Sequence, residues 1–245
     1  MNENYRKYIA EAIGTFALVF IGAGAVCTDY YIKSAGGTGI GLVGVSLAFG
    51  LVVMAMVYAL GYISGCHINP AVTVSCWVTR RMDTNLAVFY ILSQLVGATV
   101  AGFALKTIYP QAVASVHLGT TSLTTGTPLA RGTLMEFIIT FLLVLTVFTT
   151  AIDRRGSKTF AGLCIGFAVL FGVMIGGVLT GGSMNPARTF GPAIASGFFK
   201  DHFVYWVGPI LGGIAAALFY ERVLAETEGE IPIEERPTLR RGRRA

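Results

Sequence analysis

Two short stretches of this 245-residue chain carry residue types that could act on a small polar molecule: Asn69 Pro70 Ala71 and Asn185 Pro186 Ala187. Asparagine is a strong N-cap, because its side-chain oxygen accepts from the first free N–H groups of a helix. Proline suits the next position because its fixed φ is already helical. Each triplet is therefore a helix start, and each follows a long apolar stretch and a glycine-containing turn. At membrane depth, irregular backbone is tolerated only where it is buried in protein or lines a water-filled cavity. A helix N-terminus carries about half a positive charge, so two such ends facing one another near the bilayer centre disfavour cations and protons. With its oxygen engaged in capping, each asparagine keeps an NH₂ group as a donor. A water held by its oxygen between the two donors points its hydrogens away along the path, so it cannot accept a proton from a neighbour. Two helix starts at membrane depth thus imply a pore or a binding site for a small polar molecule.

Other residues fit the same path. Arg188 directly follows the second triplet, and an arginine at the membrane centre costs about 2.5–3.5 kcal/mol even on lenient scales, so it normally marks a pathway. Glu11 and Glu136 are the other ionisable groups placed inside apolar runs. Each is expected to accept hydrogen bonds from the N–H groups of a re-entrant loop, the alternative being a proton relay. His67 stands two residues before Asn69 and reads as a hydrogen-bonded structural residue, with a pH gate as the alternative. The backbone carbonyls of Gly65, Cys66 and His67, and of Gly181, Gly182 and Ser183, are expected to form a ladder of acceptors, with glycines letting an unwound chain turn freely.

These residues need a scaffold, and the composition names its class. With 54% hydrophobic and 13% charged residues and a mean hydropathy of +0.68, the chain is a polytopic membrane protein, since charged residues supply about a quarter of an ordinary soluble domain. A helix needs about 20 apolar residues to cross the hydrocarbon. Six such segments fall at 8–28, 40–61, 86–108, 131–151, 160–179 and 203–223. The first is expected to remain as a span rather than to be cleaved as a signal peptide. Two stretches remain, 69–79 and 185–196, each reaching only about 15 Å. They read as half-helices entering from opposite faces. The fold class expected is thus all-α, with six transmembrane helices plus two re-entrant half-helices in an inverted repeat. The first repeat covers 1–108, a connecting loop 109–130, the second repeat 131–224, and a polar basic tail 225–245.

Glu11 Ala12 Ile13 Gly14 Thr15 Phe16 matches Glu136 Phe137 Ile138 Ile139 Thr140 Phe141, and three spans per half force the second copy to be inverted, with the functional site at the repeat interface. Small residues at four-residue spacing, such as Gly97 with Ala101 and Gly208 with Gly212, suit close helix packing. Arg6, Lys7, Arg80, Arg81, Arg154, Arg155, Lys158, Arg222 and the tail arginines fall on one side of this topology, and Lys33, Lys106, Arg131 and Lys200 on the other. By the positive-inside rule both termini are expected to be cytoplasmic. The net charge of +5 suits a tail near anionic headgroups and does not suggest nucleic acid. The four cysteines have neither metal-ligand nor disulfide-framework spacing.

Ser64 Gly65 Cys66 His67 Ile68 Asn69 Pro70 Ala71 Val72 Thr73 and Gly182 Ser183 Met184 Asn185 Pro186 Ala187 Arg188 Thr189 Phe190 Gly191 Pro192 resemble the two pore loops of the aquaporins, the major intrinsic protein family. Gln94 Leu95 Val96 Gly97 Ala98 and Trp206 Val207 Gly208 Pro209 are similar to that family's third and sixth spans. The resemblance covers nearly all of the chain except its tail and lies toward the water-channel branch, including prokaryotic and archaeal members. It implies a passive channel in the cell membrane for water, and for glycerol or other small neutral solutes, as a homotetramer without cofactor, metal or catalytic residues. It also implies a selectivity constriction at Phe49, Val173, Gly182 and Arg188. The strictest water channels have histidine where this chain has Val173, and glycerol facilitators usually have an aromatic at Gly182 and an aspartate at Thr189. Val173 and Gly182 are expected to widen the opening. The rival reading is an ion- or proton-coupled transporter, which inverted repeats would also suit. A membrane enzyme finds no His-Glu-x-x-His and no nucleophile elbow.

Overall fold

The computed structural model describes residues 3–225, so apart from Ala225 the tail expected over 225–245, with Arg240, Arg241, Arg243 and Arg244, lies outside the described residues. In chain order the α-helices are α1 (Glu3–Ser34), α2 (Gly41–Ser64), α3 (Pro70–Val78), α4 (Thr84–Ile108), α5 (Ala112–Val116), α6 (Leu129–Val147), α7 (Ala161–Gly176), α8 (Pro186–Ser196) and α9 (Val204–Phe219). Six helical stretches are long and apolar enough to cross a membrane: α1, α2, α4, Leu129–Ile152, Lys158–Gly176 and Val204–Leu224. No strand occurs among the described residues. α1 runs beyond the expected 28 to Ser34, because nothing breaks the helix before Gly36, whose φ is +88°. The connecting segment 109–130 is also more ordered than a plain loop, since it contains α5.

The half-helices begin where their caps dictate. Asn69 is extended (φ −158°, ψ 118°) and its side chain accepts from Ala71 N at 2.9 Å. Asn185 (φ −152°, ψ 109°) accepts from Ala187 N at 3.0 Å and Arg188 N at 3.2 Å. Asp83 caps α4 through Leu86 N. The start of α2 is capped from another helix: Asp29 Oδ1 accepts from both Ile40 N and Gly41 N at 2.8 Å.

The two halves pack alike. α1 lies on α4 and α6 on α9, while α2 meets α7 between the halves. A Cβ added at Gly97 would overlap the carbonyl oxygen of Ala12 on α1, and one at Gly212 would overlap that of Phe137 on α6. These are equivalent contacts in the two copies. At the α2–α7 crossing the relation becomes reciprocal, since a Cβ at Gly50 would lie 2.7 Å from Gly166 O and one at Gly166 would lie 2.7 Å from Gly50 O. Two equivalent positions touching each other mark a pseudo-two-fold axis, and glycine there lets the helix backbones approach closely.

The turns on the N-terminal face are tied by charge. Arg81 donates from Nε at 2.9 Å to Glu221 Oε1, and its guanidinium lies 5.6 Å from the Phe148 ring centroid and 5.8 Å from that of Tyr220. In the turn after Ile152, Arg155 donates to both carboxylate oxygens of Asp153 and to Leu224 O. The Arg155 hydrogen bond holds the Asp153 carboxyl below the usual carboxylate range against the opposing effect of burial. A lowered folded-state pKa stabilises fully above the unfolded value, near 4, and this contribution fades as pH falls through the lower folded value. Asp153→Asn should therefore flatten the acid side of the stability profile. Thermal unfolding in detergent at stepped pH below about 4.5 measures this, and an acid slope equal to wild type would contradict it.

Candidate transport pathway

Each non-helical loop before a triplet hangs from one buried glutamate. Glu11 Oε1 accepts from Ser64 Oγ at 2.7 Å and His67 N at 2.9 Å, and its Oε2 accepts from Ile68 N at 2.7 Å and Gln94 Nε2 at 2.8 Å. Glu136 Oε1 accepts from Thr180 Oγ1 at 2.6 Å and Ser183 N at 2.9 Å, and its Oε2 accepts from Met184 N at 2.7 Å. Both glutamates are fully buried. The same hydroxyls then accept from the loops, Ser64 from Cys66 N and Thr180 from Gly182 N. Tyr90 holds Ser64 O and Tyr205 holds Thr180 O. These bonds pin unfavourable backbone, since Ile68 (φ 44°) and Met184 (φ 53°) are left-handed. Such residues cost on the order of 1–3 kcal/mol each and persist only where their surroundings over-determine them.

The capping asparagines meet across the axis. Asn69 Nδ2 donates to Met184 O at 2.8 Å, and Asn185 Nδ2 donates to Ile68 O at 2.8 Å. From sequence, the NH₂ group of each asparagine is expected to point into the lumen as a donor. The fold takes one of its two hydrogens, so each asparagine retains a single hydrogen for a passing molecule. Its direction is then fixed, because the other hydrogen locks the amide plane. His67 Nδ1 lies 3.1 Å from Thr73 Oγ1, with its ring edge-on to Tyr90 at 5.3 Å.

Two cavities meet at these loops. The larger, about 550 Å³, opens toward the N-terminal face beside Tyr62 and Lys158 and runs past Gly65, Cys66, His67, Asn69, Ser183 and Asn185. The smaller, about 290 Å³, reaches the opposite face past Asp29, Thr120 and Gly181. Val173 and Arg188 line both cavities, and Phe49 lines the larger. Arg188 is 3% exposed, donates from Nη1 to Gly119 O at 2.6 Å, and places its guanidinium 4.6 Å from the Phe49 ring centroid. Gly182 stands apart from these three, lining neither cavity. Its φ is +58°, and a Cβ there would lie 2.8 Å from Val173 Cα and 3.0 Å from Gly172 O. Glycine at 182 thus lets the loop pack against α7 behind Val173, rather than leaving open space in the lumen. An aromatic at 182 would require the loop to move.

The larger cavity is lined in repeat-related pairs: Leu18 with Leu143, Val53 with Val169, Val57 with Val173. At one end the symmetry breaks. Phe49 and Arg188 stand where the other end has Ile165 and Val72. At these two positions one end is therefore aromatic and charged where the other is aliphatic.

The family model described as Major intrinsic protein matches residues 1–220. The chain belongs to this family. Aquaporin AqpM of Methanothermobacter thermautotrophicus is 41% identical over 242 residues, covering 90% of this chain and 98% of that protein. Aquaporin TIP2-1 of Arabidopsis thaliana is 40% identical over 233 residues, covering 93% and 91%. Among solved structures, the X-ray structure of the aquaglyceroporin from Plasmodium falciparum matches with a TM-score of 0.79 at 26% identity, over 90% of this chain and 96% of that one.

Several site residues of this major intrinsic protein were missed in the sequence reading. Ser64 and Thr180 had a readable signal, a hydroxyl residue the same number of positions before each asparagine. Tyr90 and Tyr205 had none, since tyrosines are frequent in spans. Gly119, which takes Arg188 through its carbonyl, could not be read, because any residue presents a carbonyl. A hydroxyl chain toward the face opposite the N-terminus was equally hidden, with Thr121 Oγ1 2.6 Å from Thr189 Oγ1, and that hydroxyl 2.7 Å from Ser183 Oγ.

Proposed function

We propose that this chain is a passive channel that conducts water, and small neutral solutes such as glycerol, down their gradients while excluding protons and ions. The observation that carries this reading is the meeting of two capped helix N-termini in a cavity whose wall is mostly apolar side chains. Two half-charges of one sign at that point disfavour a cation, and the one remaining hydrogen on each asparagine orients a water by its oxygen. Phe49, Val173 and Arg188 form the selectivity constriction, with Gly182 acting from behind Val173. The carbonyls of Gly65, Cys66, His67, Gly181 and Ser183 guide the molecule on either side, and Glu11 and Glu136 support the loops. In this reading both termini are cytoplasmic, supported by the basic Arg80, Arg81, Arg154, Arg155, Lys158 and Arg222 on the N-terminal face. The chain sits in the cell membrane as a homotetramer, as its resemblance to the aquaporins implies, with no cofactor.

Stopped-flow light scattering on proteoliposomes tests this directly, with water, glycerol and proton gradients imposed on the same vesicles. Water flux well above that of empty liposomes, with proton flux equal to theirs, is the expected result. A proton leak that scales with protein content would overturn the mechanism.

A further inference from the structure

We propose that Gly22, on α1 and outside both cavities, is a specificity-determining residue of the pathway, because it fixes how far the Phe49 ring stands into the constriction. The inference rests on the channel reading above. A Cβ added at Gly22 would overlap the Cδ1–Cε1 edge of the Phe49 ring and lie 2.7 Å from its Cζ. The ring therefore occupies space that any other residue at 22 would fill. On its other side the Arg188 guanidinium stands 4.6 Å from the ring centroid. Phe49 is buried between these neighbours, with the larger cavity beside it. A methyl group at 22 would displace the ring from α1, and the neighbours left to it are Arg188 and the larger cavity that both residues line.

The inverted repeat supplies the comparison within one molecule. The position equivalent to Gly22 is Val147 and the one equivalent to Phe49 is Ile165, and both line the larger cavity at its far end. There each of the two helices carries a branched aliphatic side chain. At the constriction one helix gives up its side chain entirely, and the other fills the space with a ring. Gly22 and Phe49 thus act as a pair, in which the bore depends on the residue behind the ring as much as on the ring itself.

Proteoliposomes carrying wild type, Gly22→Ala, Phe49→Leu and the double variant test this. The readouts are water permeability and the size at which formamide, urea and glycerol fall to the rate of empty liposomes. Wild-type water flux equal to that of empty liposomes would overturn the channel reading itself, separately from the role of Gly22. Given a conducting wild type, Gly22→Ala should lower water permeability by about threefold or more and shift the cutoff to a smaller solute, since overpacking forces side chains off their positions. In the Phe49→Leu background the same substitution should have no effect, because leucine leaves room for the methyl. If Gly22→Ala fails to assemble and Phe49→Leu restores it, the contact is again supported. An unchanged cutoff and water rate in Gly22→Ala, an equal loss in both backgrounds, or failure of both the single and the double variant to assemble would overturn the proposal.

Discussion

An Arg188→Val channel should pass glycerol and urea several-fold faster than wild type and admit small monovalent cations into the constriction, while its proton flux stays at the level of empty liposomes. Three observations set this expectation. The guanidinium is buried, is anchored to the Gly119 carbonyl, and stands against Phe49 at the point where the two cavities join. Removing a unit charge about 4 Å from a permeating cation removes roughly 4 kcal/mol of repulsion at an effective dielectric of about 20. That is nearly a thousandfold at this one point. Valine also returns volume to the lumen, so neutral solutes gain as well. Protons stay excluded because the helix ends and the two asparagines are untouched. Arg188→Lys separates charge from shape, since lysine keeps the charge but not the planar fork that holds its orientation. It should still exclude cations while its solute cutoff changes. Neutral-solute and small-cation fluxes that do not change in Arg188→Val would show that the constriction lies elsewhere.

Glu136→Ala should lose about 3–5 kcal/mol of stability, the range for removing one partner from a buried charged network, and most of its water conductance with it. The carboxylate takes three hydrogen bonds, two of them from N–H groups of the buried residues Ser183 and Met184. It also holds Met184 in its left-handed conformation, and Met184 O is the acceptor that fixes Asn69. Loss at one glutamate therefore reaches the asparagine of the opposite repeat. Glu136→Gln should lose less, on the order of 1–3 kcal/mol, because the amide keeps one acceptor oxygen while turning its NH₂ group toward a donor. Thermal unfolding in detergent, paired with water flux per reconstituted protein, measures both effects. An alanine variant as stable and as conductive as wild type would show that the loop holds itself without the glutamate.

The sequence made some of this site legible because the relevant physics is local. An N-cap joins a residue to N–H groups two or three positions along, so the helix starts after Asn69 and Asn185 follow from the triplets and appear in the fold. Apolar length follows from hydropathy, and all six long helices lie where the apolar runs are. Their ends shifted by a few residues, most at Ser34, because polar residues continue a helix as readily as apolar ones until glycine intervenes. Glu11, Glu136 and Arg188 stood out because burying charge in an apolar run is costly enough to need a reason.

What the chain by itself determined about this protein was its elements, their caps and the ionisable residues buried among them, all properties of neighbours within one or two helical turns. Only the tertiary structure decided what those elements present to the lumen. It gave one hydrogen of each asparagine amide to the opposite loop, placed Gly182 behind Val173, brought the Gly119 carbonyl to Arg188, and laid Phe49 across Gly22. Each of these joins residues from different elements, and the approach of the backbones is set by helix crossings such as Gly50 on Gly166 and Gly97 on Ala12. A glycine reads the same in sequence whichever surface it faces, and only the helix packed against it determines which side chain fills the space it leaves.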